Sequence, residues 1–398
     1  MMSQLADSAA TRLTFLHTGN PTGLKFTIEH GDARLLIDCG VEHAPGRMPF
    51  SVGLQPRTGR EIQDLIAVGA APRIDGVFGE WDGRTSVFIS HIHLDHTGLV
   101  QYVGPDVPLF YPAGMEPVRR FMVEHGLGRW REKPGTPVSD RAVVAVDDIS
   151  IQFVAVDHDA PGSTGFLIRT PDISIAFTGD TRWHGLHPEV TASFVEVVHG
   201  VDVLIQESVT LGFSTEQSIQ LSEAEAIEEI GRAIAACRGL VVINQYPLNF
   251  ERVEGVARAC AANGRLVLTA GEDDLRRAIE HPEQACVSMA FGELPSLIDL
   301  QPPAGSVYIH SNGPPLGQYD PAWPVMHTWV ERFGLEMKRI SSTGHSRPED
   351  IKRMVRSVAP GVWLPVHTQA PDVLEVLPIR RLIPTAGRPY STAELKKS

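Results

Sequence analysis

The chain has 398 residues, more than one ordinary domain needs and enough for two, with 42% hydrophobic and 21% charged residues, an ordinary globular balance. Every apolar run is broken by Gly, Pro or a charge, which argues against a membrane span, and Met1 to Thr11 lacks the basic flank and apolar block of a signal peptide, so a cytoplasmic protein is expected. A net charge of −13 excludes a broadly basic surface, so any groove for a phosphate backbone has to be local.

Short strands are predicted at Leu13 to His17, Lys25 to His30 and Arg34 to Asp38, separated by Gly-Asn-Pro and His-Gly-Asp turns as in an antiparallel meander. A loop region rich in Gly and Pro runs from Gly40 to about Arg84, with one helix near Arg60 to Val68. The apolar run Val87-Phe88-Ile89 then reads as a buried strand of a mainly parallel sheet. A helix near Pro117 to His125 precedes strands at Ala142 to Val146, Ile149 to Val156, Gly165 to Arg169 and Ile173 to Thr178. A helix near Glu189 to His199 and a buried strand, Val203 to Gln206, follow.

From about Ser208 the texture changes to alternating helices and strands, the pattern of a parallel-sheet subdomain. Ser222 to Ala236 is predicted helical with Ser222 as N-cap, and Phe250 to Ala262 is predicted to stop at Asn263-Gly264. Strands are expected at Leu240 to Ile243 and Leu266 to Leu268. The alternation fades into a Pro- and Gly-rich stretch, Gly305 to Pro324. A strand at Glu336 to Ser341, a helix at Pro348 to Ser357 and a strand at Val362 to Val366 close the pattern.

The densest chemistry lies in Ser90-His91-Ile92-His93-Leu94-Asp95-His96-Thr97-Gly98, directly after a predicted buried strand. His91 and His93 are two apart, so in an extended or tightly turned segment they project to the same side and can share one ion. Asp95 and His96 point past them, towards a second. Further candidate ligands follow other apolar strands: His158 after Phe153 to Val156, Asp180 after Ile175 to Gly179, and His367 after Val362 to Val366. Nitrogen donors with a few hard oxygens suit zinc, with manganese or iron as substitutes. Two ions need about eight ligand positions if one carboxylate bridges them, and the count is met.

His91-x-His93-x-Asp95-His96, then His158, then Gly179-Asp180 resembles the signature of the metallo-β-lactamase fold. Asp38, in Leu35 to Gly40, matches the early aspartate that supports the histidine loop. Gln206-Glu207-Ser208, Ser342-Thr343-Gly344-His345-Ser346 and Leu364-Pro365-Val366-His367 are similar to motifs of the β-CASP branch, which includes ribonuclease J and the endonuclease of messenger-RNA 3′-end processing. The resemblance spans Leu13 to His367. It implies an α/β protein, an αββα sandwich of metallo-β-lactamase type interrupted by a parallel α/β insertion. The first part of the sandwich domain would be residues 1–207, the β-CASP insertion 208–340 and the closing part 341–398. His17 stands where relatives often carry Gly and is read as structural. Larger ribonuclease J proteins continue into a C-terminal domain that this chain is too short to hold, so self-association through that domain is not expected.

Carried over residue by residue, the resemblance implies that His91, His93 and His158 hold a first ion and Asp95, His96 and His367 a second, with Asp180 bridging two Zn2+, or Mn2+ or Fe. His345 would donate the proton to the leaving group, with Glu207 behind it and Asp95 also serving the reaction. Ser342 and Ser346 are weaker candidates for holding a substrate phosphate, and Arg182 and His184 for touching substrate or supporting the site. The implied activity is a ribonuclease, endonucleolytic or 5′-exonucleolytic, acting on single-stranded RNA in a groove between the two domains. A homo-oligomer is compatible with the sequence, a membrane partner is not expected, and a scaffold that has lost its chemistry is disfavoured by the intact ligand set. The competing reading is a small-molecule hydrolase of lactonase or thioesterase type, favoured by the acidic charge and short length.

The four cysteines, Cys39, Cys237, Cys260 and Cys286, show no metal spacing and read as small buried hydrophobes in a reducing compartment. The basic clusters Arg119-Arg120, Arg129 to Lys133, Arg276-Arg277, Lys338-Arg339 and Lys352-Arg353 read as solvated helix faces rather than nucleic-acid contacts.

Overall fold

The computed structural model describes residues 10–19, 23–42, 48–50, 53–124, 130, 133–212, 221–373 and 378–397. Most of the stretch read for a signal peptide, His125 of the expected helix, and Arg129 and Arg131 of the basic run lie outside the described residues. The chain divides into two units: one of Met1–Trp183, His187–Ser218 and Gly344–Ser398, the other of His184–Leu186 and Ile219–Thr343.

The first unit holds two seven-stranded sheets. In one, the order is Pro389–Ser391, Arg12–His17, Lys25–His30, Ala33–Ile37, Thr85–Phe88, Leu109–Pro112 and Thr136–Val138, antiparallel up to Ala33–Ile37 and parallel from there on. In the other it is Arg380–Arg381, Val362–Val366, Val203–Glu207, Ser174–Phe177, Thr164–Arg169, Ile149–Ala155 and Val143–Val146, parallel over the first four and antiparallel over the rest.

Strand periodicity sends alternate side chains to opposite faces. Phe15, Phe26, Leu35, Ile37 and Phe88 from the first sheet meet Ile151, Phe153, Phe166, Phe177, Ile205 and Leu364 from the second in one fully buried core. The outer face of the second sheet, Val154, Leu167, Ala176, Leu204 and Trp363, is covered by the helices Pro188–Val198 and Pro348–Val358. On the outer face of the first sheet Tyr111 is buried, its hydroxyl donating to Glu116 at the start of helix Glu116–Glu124. This is the αββα sandwich that the sequence resemblance implies.

The second unit is built on a five-stranded, wholly parallel sheet in the order Leu266–Leu268, Ala285–Ser288, Val241–Gln245, Val307–Ser311 and Glu336–Arg339. Apolar clusters cover both faces, as a parallel sheet requires. Helix Glu223–Ala236 opens on a full capping box, Ser222 accepting from Glu225 N, and Phe250–Ala262 runs to Asn263 as its motif predicts. The Pro- and Gly-rich stretch Gly305 to Pro324 still contains the buried strand Val307–Ser311 and the start of helix Trp323–Arg332. Pro324 sits in the first turn of that helix, where a missing N–H costs nothing.

Candidate metal centre

The parallel strands of the sandwich present polar residues from their carboxyl ends. Ala33–Ile37 ends in Asp38, and its partner Thr85–Phe88, registered with Ile37 opposite Phe88, runs on into Ser90 and His91. His93 precedes the single-turn helix Leu94–Thr97, which carries Asp95 and His96. The backbone of Cys39 and Val41 grips this turn: Cys39 N donates to His96 O at 2.8 Å and Val41 N to Leu94 O at 3.1 Å. His158 follows Ile149–Ala155, Asp180 follows Ser174–Phe177, Glu207 ends its strand, and His367 follows Val362–Val366. Asp38 and His367 both have left-handed backbone, φ 57° and 56°, an unfavourable conformation for a non-glycine residue that recurs at functional sites.

The structure brings all seven expected ligands together. Potential ligand atoms of His91, His93, His158 and Asp180 lie within 4.8 Å of one another, and so do those of Asp95, His96, Asp180 and His367. Asp180 belongs to both sets. Its Oδ2 stands 3.6 Å from His91 Nε2, 4.0 Å from His158 Nε2, 3.3 Å from His96 Nε2 and 3.5 Å from His367 Nε2. Asp95 Oδ2 is 3.1 Å from His367 Nε2 and 3.5 Å from His96 Nε2.

A second layer of partners fixes which ring nitrogen faces inwards. Asp38 Oδ2 takes the Nδ1 proton of His96 at 2.7 Å and the Ser90 hydroxyl at 2.8 Å, while its Oδ1 accepts from Ser90 N at 2.8 Å. Ser90 Oγ in turn lies 2.9 Å from His91 Nδ1. His158 Nδ1 donates to Gly344 O at 2.6 Å. Such contacts leave Nε2 of His91, His96 and His158 as the inward nitrogen, the arrangement of imidazoles held for metal binding.

These donors fit a pair of divalent ions. His91 Nε2, His96 Nε2 and both carboxylate oxygens of Asp180 are buried and have no hydrogen-bond partner, a costly arrangement unless cations satisfy it. Burial, with further help from the neighbouring rings, pushes the pKa of His158 down to about 3 and that of His91 well below its ordinary range, so both rings keep their lone pairs. At His96 and His367 burial is outweighed by Asp180 and Asp95, which raise both rings, His367 to about 10. The second donor set therefore sits in a field that favours positive charge.

Beside this cluster, His345 Nδ1 lies 3.5 Å from Glu207 Oε2 and 3.7 Å from Asp180 Oδ2, with its side chain 22% exposed. Glu207 is wholly buried and pinned by two backbone donors, Ser346 N to Oε1 at 2.8 Å and Val209 N to Oε2 at 3.1 Å. Burial works against a charge on His345, but Asp180 and Glu207 outweigh it and raise its pKa.

Three of the remaining sequence candidates also have side-chain contacts inside the protein, whereas the Ser342 hydroxyl is buried without a partner among the described residues. Ser346 is buried, with its hydroxyl donating to Thr181 O at 2.8 Å. Arg182 is fully buried and donates from Nε to Asp157 Oδ1 at 3.0 Å. Ser342 and His184 belong to the second unit, where Ser342 O accepts from Arg252 Nη2 and His184 Nε2 meets Thr343 O. His17 Nδ1 accepts from Gly19 N at 3.1 Å, a structural contact. All four cysteines are free, and burial pushes the Cys39 thiol up to about 12, far from a reactive thiolate. The basic side chains also serve the fold: Arg119 packs on Tyr111 and Trp130, Arg339 on Trp323 and Arg353 on Trp183, while Arg276 pairs with Glu272 and Asp273. One carboxylate absent from the sequence expectations also reaches the cluster. Asp159 Oδ1 lies 3.4 Å from His158 Nε2 and 3.6 Å from His93 Nε2. Its only signal in the sequence is its place directly after a candidate ligand histidine.

No protein-family model matches the chain. Among curated proteins it is 20% identical to ribonuclease J 1 of Streptococcus pyogenes over 391 residues, covering 86% of this chain and 65% of that one. It is 26% identical to ribonuclease J of Mycobacterium tuberculosis over 286 residues, 68% of this chain and 46% of the relative. The chain thus spans about half to two-thirds of the length of these two relatives. Among solved structures, a protein of unknown function from Enterococcus faecalis V583 matches with a TM-score of 0.79 at 25% identity, covering 96% of this chain and all of that one.

Proposed function

We propose that this chain, a metallo-β-lactamase-fold protein of the β-CASP branch that resembles ribonuclease J, is a two-metal-dependent hydrolase of phosphodiesters that cleaves single-stranded RNA in the cytoplasm. The observation that carries this reading is the pair of donor sets sharing Asp180, with the His345–Glu207 pair beside them. His91, His93 and His158 would hold one ion, Asp95, His96 and His367 the other, and Asp180 both. A divalent pair, Zn2+ or else Mn2+ or Fe, would supply Lewis acidity to a phosphoryl group and an activated water. Asp38 holds His96 in its working tautomer, and Gly344 O does the same for His158. His345, partly exposed, passes a proton to the leaving oxygen, and the buried carboxylate of Glu207 favours its imidazolium form. Both internal cutting and trimming from the 5′ end fit this assignment.

The test is incubation of the purified chain with single-stranded RNA labelled at the 5′ end and, separately, at the 3′ end, with and without chelator. Cleavage that chelator abolishes and Mn2+ or Zn2+ restores supports the reading, and the two labels separate internal cutting from 5′ trimming. Uncleaved RNA in the metal-loaded protein overturns it.

The net charge of −13, together with arginines committed to internal contacts, favours a second reading, a lactonase- or thioesterase-type hydrolase of a small molecule. Salt separates the two: RNA binding weakens steeply as ionic strength rises, whereas turnover of a neutral ester barely responds. No helix among the described residues is long and apolar enough to cross a membrane.

A further inference from the structure

Among the described residues, Asp159 is a carboxylate beside the first donor set that the proposed centre leaves without a task. Its side chain is only 10% exposed, and its Oδ1 accepts no hydrogen bond. That oxygen faces His158 Nε2 across 3.4 Å and His93 Nε2 across 3.6 Å. Since His158 Nδ1 spends its proton on Gly344 O, His158 Nε2 presents a lone pair, which lies 3.2 Å from His93 Nδ1 and also faces Asp159 Oδ1. A lone pair and a carboxylate oxygen that face each other inside a protein repel unless a cation stands with them.

The chain also makes room for this carboxylate. A Cβ on Gly344 would stand 2.6 Å from Asp159 Cγ and from Oδ1, so the Asp159 side chain occupies the space that any residue other than glycine would fill. The same Gly344 offers the carbonyl that orients His158. One glycine therefore sets the ligand ring and the adjoining carboxylate together.

We propose that Asp159 is a further donor to the ion held by His91, His93, His158 and Asp180, an inference that rests on the metal-centre reading above. That ion would then see three imidazoles and two carboxylates, against two imidazoles and two carboxylates for its neighbour. Five nitrogen and oxygen donors exceed what tetrahedral zinc takes and suit ions of the Mn2+ or Fe2+ class. The two positions are therefore unequal, and the first selects the ion with the larger coordination number.

The experiment is titration of the chelator-stripped full chain with Mn2+ alone and with Zn2+ alone, by calorimetry and by counting bound ions, for the wild type and Asp159→Asn. If the wild type fails to bind two ions, the metal-centre reading itself falls. Given two ions in the wild type, Asp159→Asn should lower Mn2+ affinity at one position by about tenfold or more and leave the other unchanged, with a smaller effect on Zn2+. Unchanged Mn2+ affinity at both positions, or an equal loss for Mn2+ and Zn2+, overturns the assignment. Folding is checked on the metal-free proteins by comparing the melting temperature of Asp159→Asn with that of wild type. Should the amide itself misfold the site, Asp159→Ala gives the same reading, and a lower metal-free melting temperature in both variants with wild-type Mn2+ affinity assigns Asp159 a structural role and overturns the inference.

Discussion

Gly40 lies against Asp95 so closely that a Cβ on the glycine would stand 1.5 Å from the Asp95 carbonyl oxygen and 2.5 Å from His96 N. Both neighbours are backbone, so neither can rotate away. Gly40→Ala should push the turn carrying Asp95 and His96 off its place and remove the second ion while the first remains. Counting bound ions in the purified variant checks this, and two ions held at wild-type affinity would refute it.

His345 touches Glu207 and Asp180 but belongs to neither donor set. His345→Ala should keep its full metal content and lose RNA cleavage by about 10²–10⁴-fold, the usual effect of removing a general acid. A variant that lost its metal instead would show that the ring serves the ions rather than the proton.

Asp172 ties the two ends of the described chain to the sandwich. It accepts from Thr11 N at 3.0 Å, from the Thr11 hydroxyl, from Thr170 Oγ1 at 2.8 Å and from Thr392 Oγ1 at 2.5 Å. Partial burial opposes its charge, yet these donors outweigh it and hold its carboxyl well below the usual carboxylate range. A folded-state pKa below the unfolded value means stability that is present above about pH 4 and fades as the pH falls towards the folded value. Asp172→Asn should cost about 1–2 kcal/mol at pH 7. Its difference from wild type should narrow as the pH drops below about 4. Denaturant unfolding at stepped pH reads both effects, and a difference independent of pH would contradict the assignment.

In the second unit Arg252, 1% exposed, donates to Glu223 from Nε and from Nη2, both at 2.7 Å. Its Nη1 reaches Asn312 Oδ1 at 3.0 Å and its Nη2 reaches Ser342 O at 3.1 Å. Arg252→Met strands a buried carboxylate and should destabilise this unit by about 3–5 kcal/mol, whereas removing both charges in Arg252→Met with Glu223→Gln should recover a large part. The fluorescence of Trp323 and Trp329 reports the unfolding. Equal losses in the single and double variants would show that the ion pair is not the source.

What could be read from the sequence follows the range over which each signal acts. The His91-to-His96 loop and the strands feeding it are local patterns, and so is the Ser222 cap, so they stand near where the residues put them. Strands Leu109–Pro112 and Thr136–Val138 escaped because each is short and carries a proline, and only pairing with a neighbour defines them. Pro389–Ser391 is defined as a strand by its pairing with Arg12, Leu13 and Thr14 across the sheet. Asp159 was missed for a different reason. Its role depends on Gly344, 185 positions further along the chain, and on the donor geometry around His158, neither of which has a sequence pattern of its own.

The pairing of Pro389–Ser391 with Arg12–His17 bears on how the molecule is made. On the ribosome, Arg12–His17 waits with one flank bare until residues 389–391 have been made. The parallel sheet of residues 241–339 has meanwhile emerged whole. Assembly should thus run from the middle outwards, with the later-born unit maturing first and the early segment kept from premature edge-to-edge association until its distant companion arrives.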